Sequence, residues 1–531
     1  MLWDEDYHTE QVGLIDLGSN SARMVVMSIE PNDAYRLVYQ DKQLVRLSEG
    51  MQAAGRLTEE AMARTLAAMQ NFSHTAELLG VEKMLAVATA AMRSADNGIL
   101  FRDEIESKTD IPLTIINGRE EARLGYLGVI NTLPYEDFVL FDLGGASTEV
   151  SLVRNRLLKE TMSLPLGSLT LTEKFGTQDV VSSKTLKAMG SYIKKILRSL
   201  PGIENTKLPL IGIGGTVRNL AKIHQRLVSY PIPKLHHYTM APEAIYDMTE
   251  MLASRNFKER TQISGLGRDR ADIITAGAFL IQTLLQFTGS EQLIISGNGL
   301  REGLFYNYYA MTRRQGQHFP ESLLRQSVEN FRNTLPLGNE EQMQYITKMA
   351  LKLYDGLQPL HGFPARYREW LETTCRLHDV GMMINYYSHA QHSAYIIANS
   401  PLYGLTHREQ ATCALIAAFQ DGISNKLRRF AQFAKLLTAE DLTVVKQLST
   451  LLAIVKAFDA TYDESVTSLA VSQPDETHAV LHLTARSATD IPLVNANITP
   501  HIKECNEEYP FTLSVEWDNA DKTPETYDTL A

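Results

Sequence analysis

Cysteine is scarce in this chain. Its 531 residues contain three, Cys375, Cys413 and Cys505, odd in number and far apart. That excludes a disulfide framework and any zinc-type spacing, and it suits free thiols in a reducing compartment. No apolar run approaches the ~20 residues needed to span a bilayer. The N-terminus, Met1-Leu2-Trp3-Asp4-Glu5-Asp6, is acidic and lacks the basic-then-apolar order of a secretory signal, so a cytoplasmic location is expected. Positive charge is in deficit. The net charge of −11 argues against a general nucleic-acid or membrane binder. If the ligand is a polyanion, basic residues must be gathered locally in a cleft.

What is present reads as a folded protein of several domains. Apolar residues make up 44% and charged residues 21% of the chain, and its length exceeds one ordinary core, so three or four domains are expected. The organising stretch runs from Phe138 to Val153. Phe138-Val139-Leu140-Phe141 is an apolar strand. Asp142-Leu143-Gly144-Gly145-Ala146-Ser147-Thr148 follows, and Glu149-Val150-Ser151-Leu152-Val153 resumes as strand. Glycines allow a sharp bend and close approach to a ligand. The turn N–H groups can form an anion nest, with Asp142 and Glu149 beside it where a phosphate-bound metal would sit. Taken alone, a plain hairpin with a surface Asp explains the stretch as well. A second copy weighs against that. Gly13-Leu14-Ile15-Asp16-Leu17-Gly18-Ser19-Asn20-Ser21 has the same order and runs into a new strand at Met24. A third stretch, Ile211-Gly212-Ile213-Gly214-Gly215-Thr216, runs strand into Gly-Gly-hydroxyl and then a helix. Two similar hairpins far apart predict a duplicated domain with a cleft between the copies.

These stretches resemble the two phosphate loops and the third Gly-Gly loop of the actin-like ATPase superfamily. Within it the chain closely resembles the exopolyphosphatase and guanosine pentaphosphate phosphatase family, motif by motif over residues ~11 to 310. The resemblance implies an α/β fold. Two duplicated actin-like (ribonuclease H-like) domains, 1–130 and 131–311, would flank the cleft. An all-helical HD-like domain, 312–465, and a small α/β domain, 466–531, would follow. Asn117-Gly118-Arg119-Glu120-Glu121-Ala122 resembles the family's Ser-Gly-x-Glu-Glu-Ala, which puts the catalytic base on Glu121, with Glu120 as fallback. Thr89-Ala90-Ala91-Met92-Arg93 resembles Ala-Thr-Ser-Ala-Leu-Arg, which makes Arg93 a substrate-binding arginine. Phosphate would be held by Ser19, Asn20, Gly144, Gly145, Ala146, Ser147, Gly214, Gly215 and Thr216, and by Arg268, with Arg270 close by. Arg46, Arg218 and Arg301 are further candidates. Asp142, Glu149 and Asp16 are the expected ligands of Mg²⁺ or Mn²⁺. One departure stands out: Ala146 occupies the place of a third glycine, and it would be strained if that position required positive φ.

Leu377-His378-Asp379-Val380-Gly381 resembles the core of HD-type metal phosphohydrolases. A working site also needs histidines from neighbouring helices, and those positions read Gln342 and Gln420. His389 and His392 remain. A helical domain with a relic His-Asp pair is therefore expected rather than a second metal centre.

The chemistry implied is removal of a terminal phosphate by in-line attack of water. Glycine-turn N–H groups, arginines and a metal would position and neutralise the phosphates, and Glu121 would activate the water. No nucleophile stands beside a base, so no covalent intermediate is expected. Inorganic polyphosphate is the expected substrate, and guanosine pentaphosphate, yielding the tetraphosphate, is the alternative. A kinase and a non-catalytic polyphosphate or guanosine-nucleotide sensor are further readings. The family resemblance also implies a homodimer.

Overall fold

Two antiparallel hairpins, each turning on glycine, seed two sheets built to one plan. The computed structural model describes residues 8–51, 55–338, 340–422 and 430–518. The acidic N-terminal stretch and the end of the expected tail domain lie outside them. In the first sheet β1 (Glu10–Leu17) pairs antiparallel with β2 (Ala22–Ile29), and β2 with β3 (Tyr35–Gln43). On the other side of β1, β4 (Lys83–Ala88) and then β5 (Leu113–Ile115) run parallel to it. In the second sheet β6 (Phe138–Leu143), β7 (Thr148–Arg154) and β8 (Leu157–Leu164) form the antiparallel meander. Beside β6, β9 (Leu210–Ile213) runs parallel to it, β10 (Tyr238–Met240) caps the far edge, and β11 (Leu293–Ile295) lies between those two, parallel to β9. The orders are β3-β2-β1-β4-β5 and β10-β11-β9-β6-β7-β8. Without the edge strand β10 the second order, read from its other end, repeats the first, with the same strand senses. This is the duplicated actin-like α/β architecture.

The helices bury a face against these sheets. The helix Glu59–Leu78 starts where the Thr58 side chain accepts the Ala61 N–H at 3.3 Å. Its buried stripe is Ala61, Thr65, Ala68, Met69, Phe72 and Ala76. The spacing of Met62, Leu66, Met69 and Leu79 along the sequence predicts that these form the buried stripe, and only Met69 of them is buried. The small side chains bring the helix close to the sheet and leave Met62 and Leu66 at the margin, while Leu79 ends exposed at the C-cap. The helix Gly118–Ile130 joins the two copies. Its Leu124, Tyr126, Leu127 and Ile130 share one apolar cluster with Val87 of β4, Phe138 and Leu140 of β6, and Ile211 of β9. Its first turn is thereby held where the two sheets meet.

The chain divides into two compact units, Met1–Leu323 and Leu324–Ala531. The second is a set of helices, among them Glu340–His361, Ala365–Leu377, His389–Asn399, His407–Ala418 and Ala439–Ala457. A small sheet of order β12-β13-β14 follows, from β12 (Val466–Asp475), β13 (His478–Ala485) and β14 (Thr512–Trp517), with the helix Ile491–Glu508 beside it. His378 and Asp379 lie just past the end of Ala365–Leu377, before a short 3₁₀ turn, and not on a helix as expected. Among the described residues no helix is long and apolar enough to cross a membrane.

Candidate active site

The two glycine turns close in the same way. Gly18 N–H donates to the Ser21 carbonyl at 3.2 Å, and Gly144 N–H to the Ser147 carbonyl at 3.0 Å. The carbonyls of each turn are tied from behind. Asn20 and Ser19 accept from the N–H groups of Arg46 and Ser48, at 3.0 and 3.1 Å. Gly144 and Gly145 accept from Ser168 and Leu169, at 3.0 and 2.9 Å. Within the described chain the N–H groups of Ser19, Asn20, Gly145 and Ala146 donate to no protein acceptor, which leaves them for an anion. The buried Nδ2 of Asn20 is likewise without a partner. Ala146 is not in the left-handed region, so the expected strain is absent. The glycine this turn demands is Gly167. A Cβ there would come within 2.1 Å of the Gly145 carbonyl oxygen.

One cavity of about 120 Å³ gathers Asp16, Ser19, Asn20, Glu121, Asp142, Gly144, Gly145, Ala146, Ser147, Glu149, Gly214 and Gly215. The helix Gly215–Leu227 points its N-terminus at this cavity with no side-chain cap, an arrangement that favours negative charge. Three expected residues lie off the cavity wall. Thr216 is fully buried, with its hydroxyl unpartnered. Arg93 stands behind Glu121, donating to its Oε2 at 3.0 Å and to the Ile116 carbonyl at 2.8 Å. Arg268 begins a 3₁₀ turn whose last residue, Arg270, faces the cavity instead. Residues two apart in such a turn point about 120° apart around its axis. Arg46, exposed after the end of β3, also lies off the wall.

Of the adjacent glutamates, Glu121 faces the cavity. Glu120 turns away to Arg123, which binds it with two hydrogen bonds of 2.7 and 2.9 Å. Burial first, and then the negative charge of Glu149, push the Glu121 carboxyl up to about 9 against the pull of Arg93. Asp142 and Glu149 are direct cross-strand partners. Burial, then Glu149 and Asp16, raise Asp142 to about 7. Burial also raises Glu149, against hydrogen bonds from Ser163 at 2.6 Å and Ser147 at 2.9 Å. Among the described residues no three His, Cys, Asp or Glu side chains converge to enclose a metal by themselves. The donor set fits an ion that takes one or two carboxylates and completes its shell with water and phosphate.

Facing the carboxylates is a cluster of arginines. Arg23, Arg218, Arg270 and Arg301 line the cavity and also an adjoining one of about 700 Å³, to which Lys42 and Lys222 add. Burial, together with Arg23 and Arg301, lowers Arg218 to about 10. Burial and Arg301 lower Arg23, and burial and Arg23 lower Arg270. The arginines thus repel one another until an anion arrives. A Cβ on Gly215 would collide with the Arg270 guanidinium at 2.2 Å, so glycine lets that side chain reach the helix N-terminus.

Sequence comparison decides the family. The Ppx/GppA phosphatase family matches residues 25–311, more than half of the chain, and the Ppx/GppA phosphatase domain III matches residues 325–500. The chain belongs to the Ppx/GppA phosphatase family. Two solved structures illustrate the likeness. The Aquifex aeolicus PPX-GPPA enzyme is 27% identical, with a TM-score of 0.50, over 56% of this chain and 99% of that chain. An exopolyphosphatase from Cytophaga hutchinsonii is 26% identical, with a TM-score of 0.54, over 57% of this chain and 99% of that chain.

In this Ppx/GppA phosphatase, Arg23 and Glu302 are cavity residues that motif reading missed. Glu302 caps Gly299 N–H at 2.8 Å and lies 3.5 Å from Arg301. Burial opposes its charge, but Arg301 and those backbone bonds outweigh it and hold the carboxyl below its usual range. Aligning the two hairpins would have found Arg23. It stands seven residues after Asp16, as Glu149 stands seven after Asp142, and each pair meets directly across its hairpin.

Proposed function

We propose that this phosphatase hydrolyses the terminal phosphoanhydride bond of inorganic polyphosphate. The observation that carries the reading is the adjoining cavity. Its walls hold Arg23, Arg218, Lys222, Arg270 and Arg301, together with Lys42, which pairs with Asp269 at 2.9 Å, and Asp41; among the described residues no aromatic side chain lines it. A run of phosphates satisfies such walls, whereas a nucleobase would find no ring to stack on.

The terminal phosphate lies between the two glycine turns, where the N–H groups of Ser19, Asn20, Gly145 and Ala146 donate to its oxygens. Asp142 and Glu149, with Asp16 nearby, are the residues that hold a divalent cation, Mg²⁺ or Mn²⁺. Such an ion supplies charge neutralisation at the phosphate oxygens. Glu121, oriented by Arg93, takes the proton of the attacking water. The water oxygen bonds to the terminal phosphorus as the bridging P–O bond breaks, giving orthophosphate and a chain one unit shorter. The arginines hold the remaining phosphates in line.

The test is phosphate release with Mg²⁺ from long-chain polyphosphate and from guanosine pentaphosphate, offered separately. Release from polyphosphate that is lost in Glu121→Gln supports the proposal. Release from the guanosine substrate alone replaces polyphosphate with that nucleotide. Release from neither, with the circular dichroism of a folded protein, leaves a binding protein without turnover.

A further inference from the structure

The second unit contains a cavity of about 310 Å³ that plays no part in the phosphatase chemistry. Its volume is that of a small-molecule site. It lies where the His-Asp motif and the two glutamines come together, since Gln342, His378, His389 and Gln420 all line it.

Among the described residues, the buried polar side-chain atoms of its wall without a partner are Gln342 Oε1, His389 Nε2 and Gln420 Oε1. His378 Nδ1 is 2.7 Å from the Cys375 carbonyl, and His389 Nδ1 is 3.0 Å from the Tyr386 carbonyl. A carbonyl only accepts, so each Nδ1 carries the hydrogen and each Nε2 keeps a lone pair. Burial lowers both imidazoles and keeps them neutral. His389 Nε2 is buried without a partner. Gln420 donates its Nε2 to the His378 carbonyl at 2.6 Å, which leaves Oε1 buried and unpartnered on a side chain 1% exposed. Asp379, also 1% exposed, is not part of the cavity wall and lies 3.6 Å from the Arg332 guanidinium. The cation of the cavity, Lys456, is taken up by Asp421 at 2.5 Å. Asp459 accepts the Glu464 N–H at 2.6 Å. Unsatisfied buried acceptors are costly, and a ligand rich in N–H groups would satisfy them.

Two side chains at the margin indicate the shape of that ligand. Tyr386 and Tyr462 both line the cavity while remaining 67% and 56% exposed. Exposed tyrosines beside a polar cavity form a stacking platform for a flat ring. A metal ion suits the site poorly. No three ligating side chains converge among the described residues, and the Lys456 ammonium already supplies positive charge. An anion would face lone pairs.

We propose that this cavity binds a planar nitrogen heterocycle with an exocyclic amino group, an aminopurine nucleoside or nucleotide. Its N–H edge meets Gln420 Oε1 and the histidine Nε2 atoms, and its ring rests on Tyr386 and Tyr462. The site stands apart from the phosphatase reading and holds whichever substrate the cleft takes.

Calorimetric titration of the full-length protein tests this with guanosine, adenosine and purine riboside, which lacks the amino group, and with zinc and manganese chloride alone. Guanosine or adenosine should bind about tenfold or more tightly than purine riboside. Gln420→Leu and the milder surface change Tyr462→Ala should each weaken that binding about tenfold, while phosphate release stays unchanged. Three results overturn the proposal: no nucleoside binding; nucleoside binding that neither variant alters, which puts the ligand elsewhere; or tight metal binding lost in His389→Ala, which makes the site a metal centre.

Discussion

Glu121 is a buried carboxyl that needs to lose a proton before it can take one. Burial first, then the charge of Glu149 and, least, that of Asp142 raise it to about 9, so it is protonated at neutral pH in the free protein. Cations gathered beside it lower that value by cancelling the repulsion. Glu121→Gln should keep the fold and reduce kcat about a hundred- to ten-thousandfold, measured as phosphate release at saturating substrate. Glu120→Gln should change it little, because Glu120 is bound to Arg123 outside the cavity. The same carboxyls set a pH dependence of stability. Asp142, at about 7, and Glu121 have folded values above their unfolded ones. Between those values the native state holds more protons than the unfolded state. Their stabilisation is therefore complete below about pH 4 and declines as pH rises towards about 9. A bound divalent cation competes with those protons. Magnesium should thus raise Tm by an increment that grows from pH 6 to pH 9 in thermal-shift measurements, and the increment should largely vanish in Asp142→Asn.

At the scale of elements the site depends on how turns are backed. The helix Ser168–Phe175 docks its first N–H groups on the carbonyls of the Gly144–Gly145 turn, and the contact is close enough that only glycine fits at position 167. Gly167→Ala should push the turn out of line, lower kcat/KM at least tenfold and lower Tm by several degrees, read by kinetics and a melt on one preparation. Opposite that turn, the arginine cluster lowers the stability of the free protein. Arg218→Ala should leave the Tm of the ligand-free protein unchanged or higher. It should raise the KM for polyphosphate about ten- to a hundredfold, because each charge-assisted hydrogen bond lost is worth about 1.5–3 kcal/mol. The elements were readable where local chemistry dictates them. Each glycine turn, the caps at Thr58 and Asn117, and the strand-to-helix step at Gly214 follow from residue type and spacing. The small-residue stripe of Glu59–Leu78, the strands β10 and β12, and the choice of Arg270 over Arg268 did not. Those depend on which neighbour each face packs against, information that lies far away in the sequence.

For the whole molecule, the two units differ in how readily sequence reports them. The first is legible because its motifs repeat. The second carries a motif whose expected partners read Gln342 and Gln420, and only the folded chain brings those glutamines back to His378. The Ppx/GppA phosphatase family match, residues 25–311, lies within the first unit, and the solved relatives are 99% covered by 56–57% of this chain. A fragment ending after Leu323 should therefore unfold cooperatively and retain phosphate release with Mg²⁺, checked by a chemical melt and a phosphate assay. An aggregated or inactive fragment would mean that the helical unit is needed for folding.

The paired hairpins carry a last implication, for ancestry. Position for position, one copy opposes Asp16 to Arg23 and the other opposes Asp142 to Glu149. Two identical subunits related by a twofold axis would present the same pair on both walls. With acids on both, a phosphate would be repelled from either side; with Asp-Arg on both, a metal would lose its second carboxylate. A cleft of this polarity excludes identical copies, and two copies within one polypeptide are free to drift from each other. The duplicated hairpins therefore had to change independently before one could carry Asp-Arg and the other Asp-Glu.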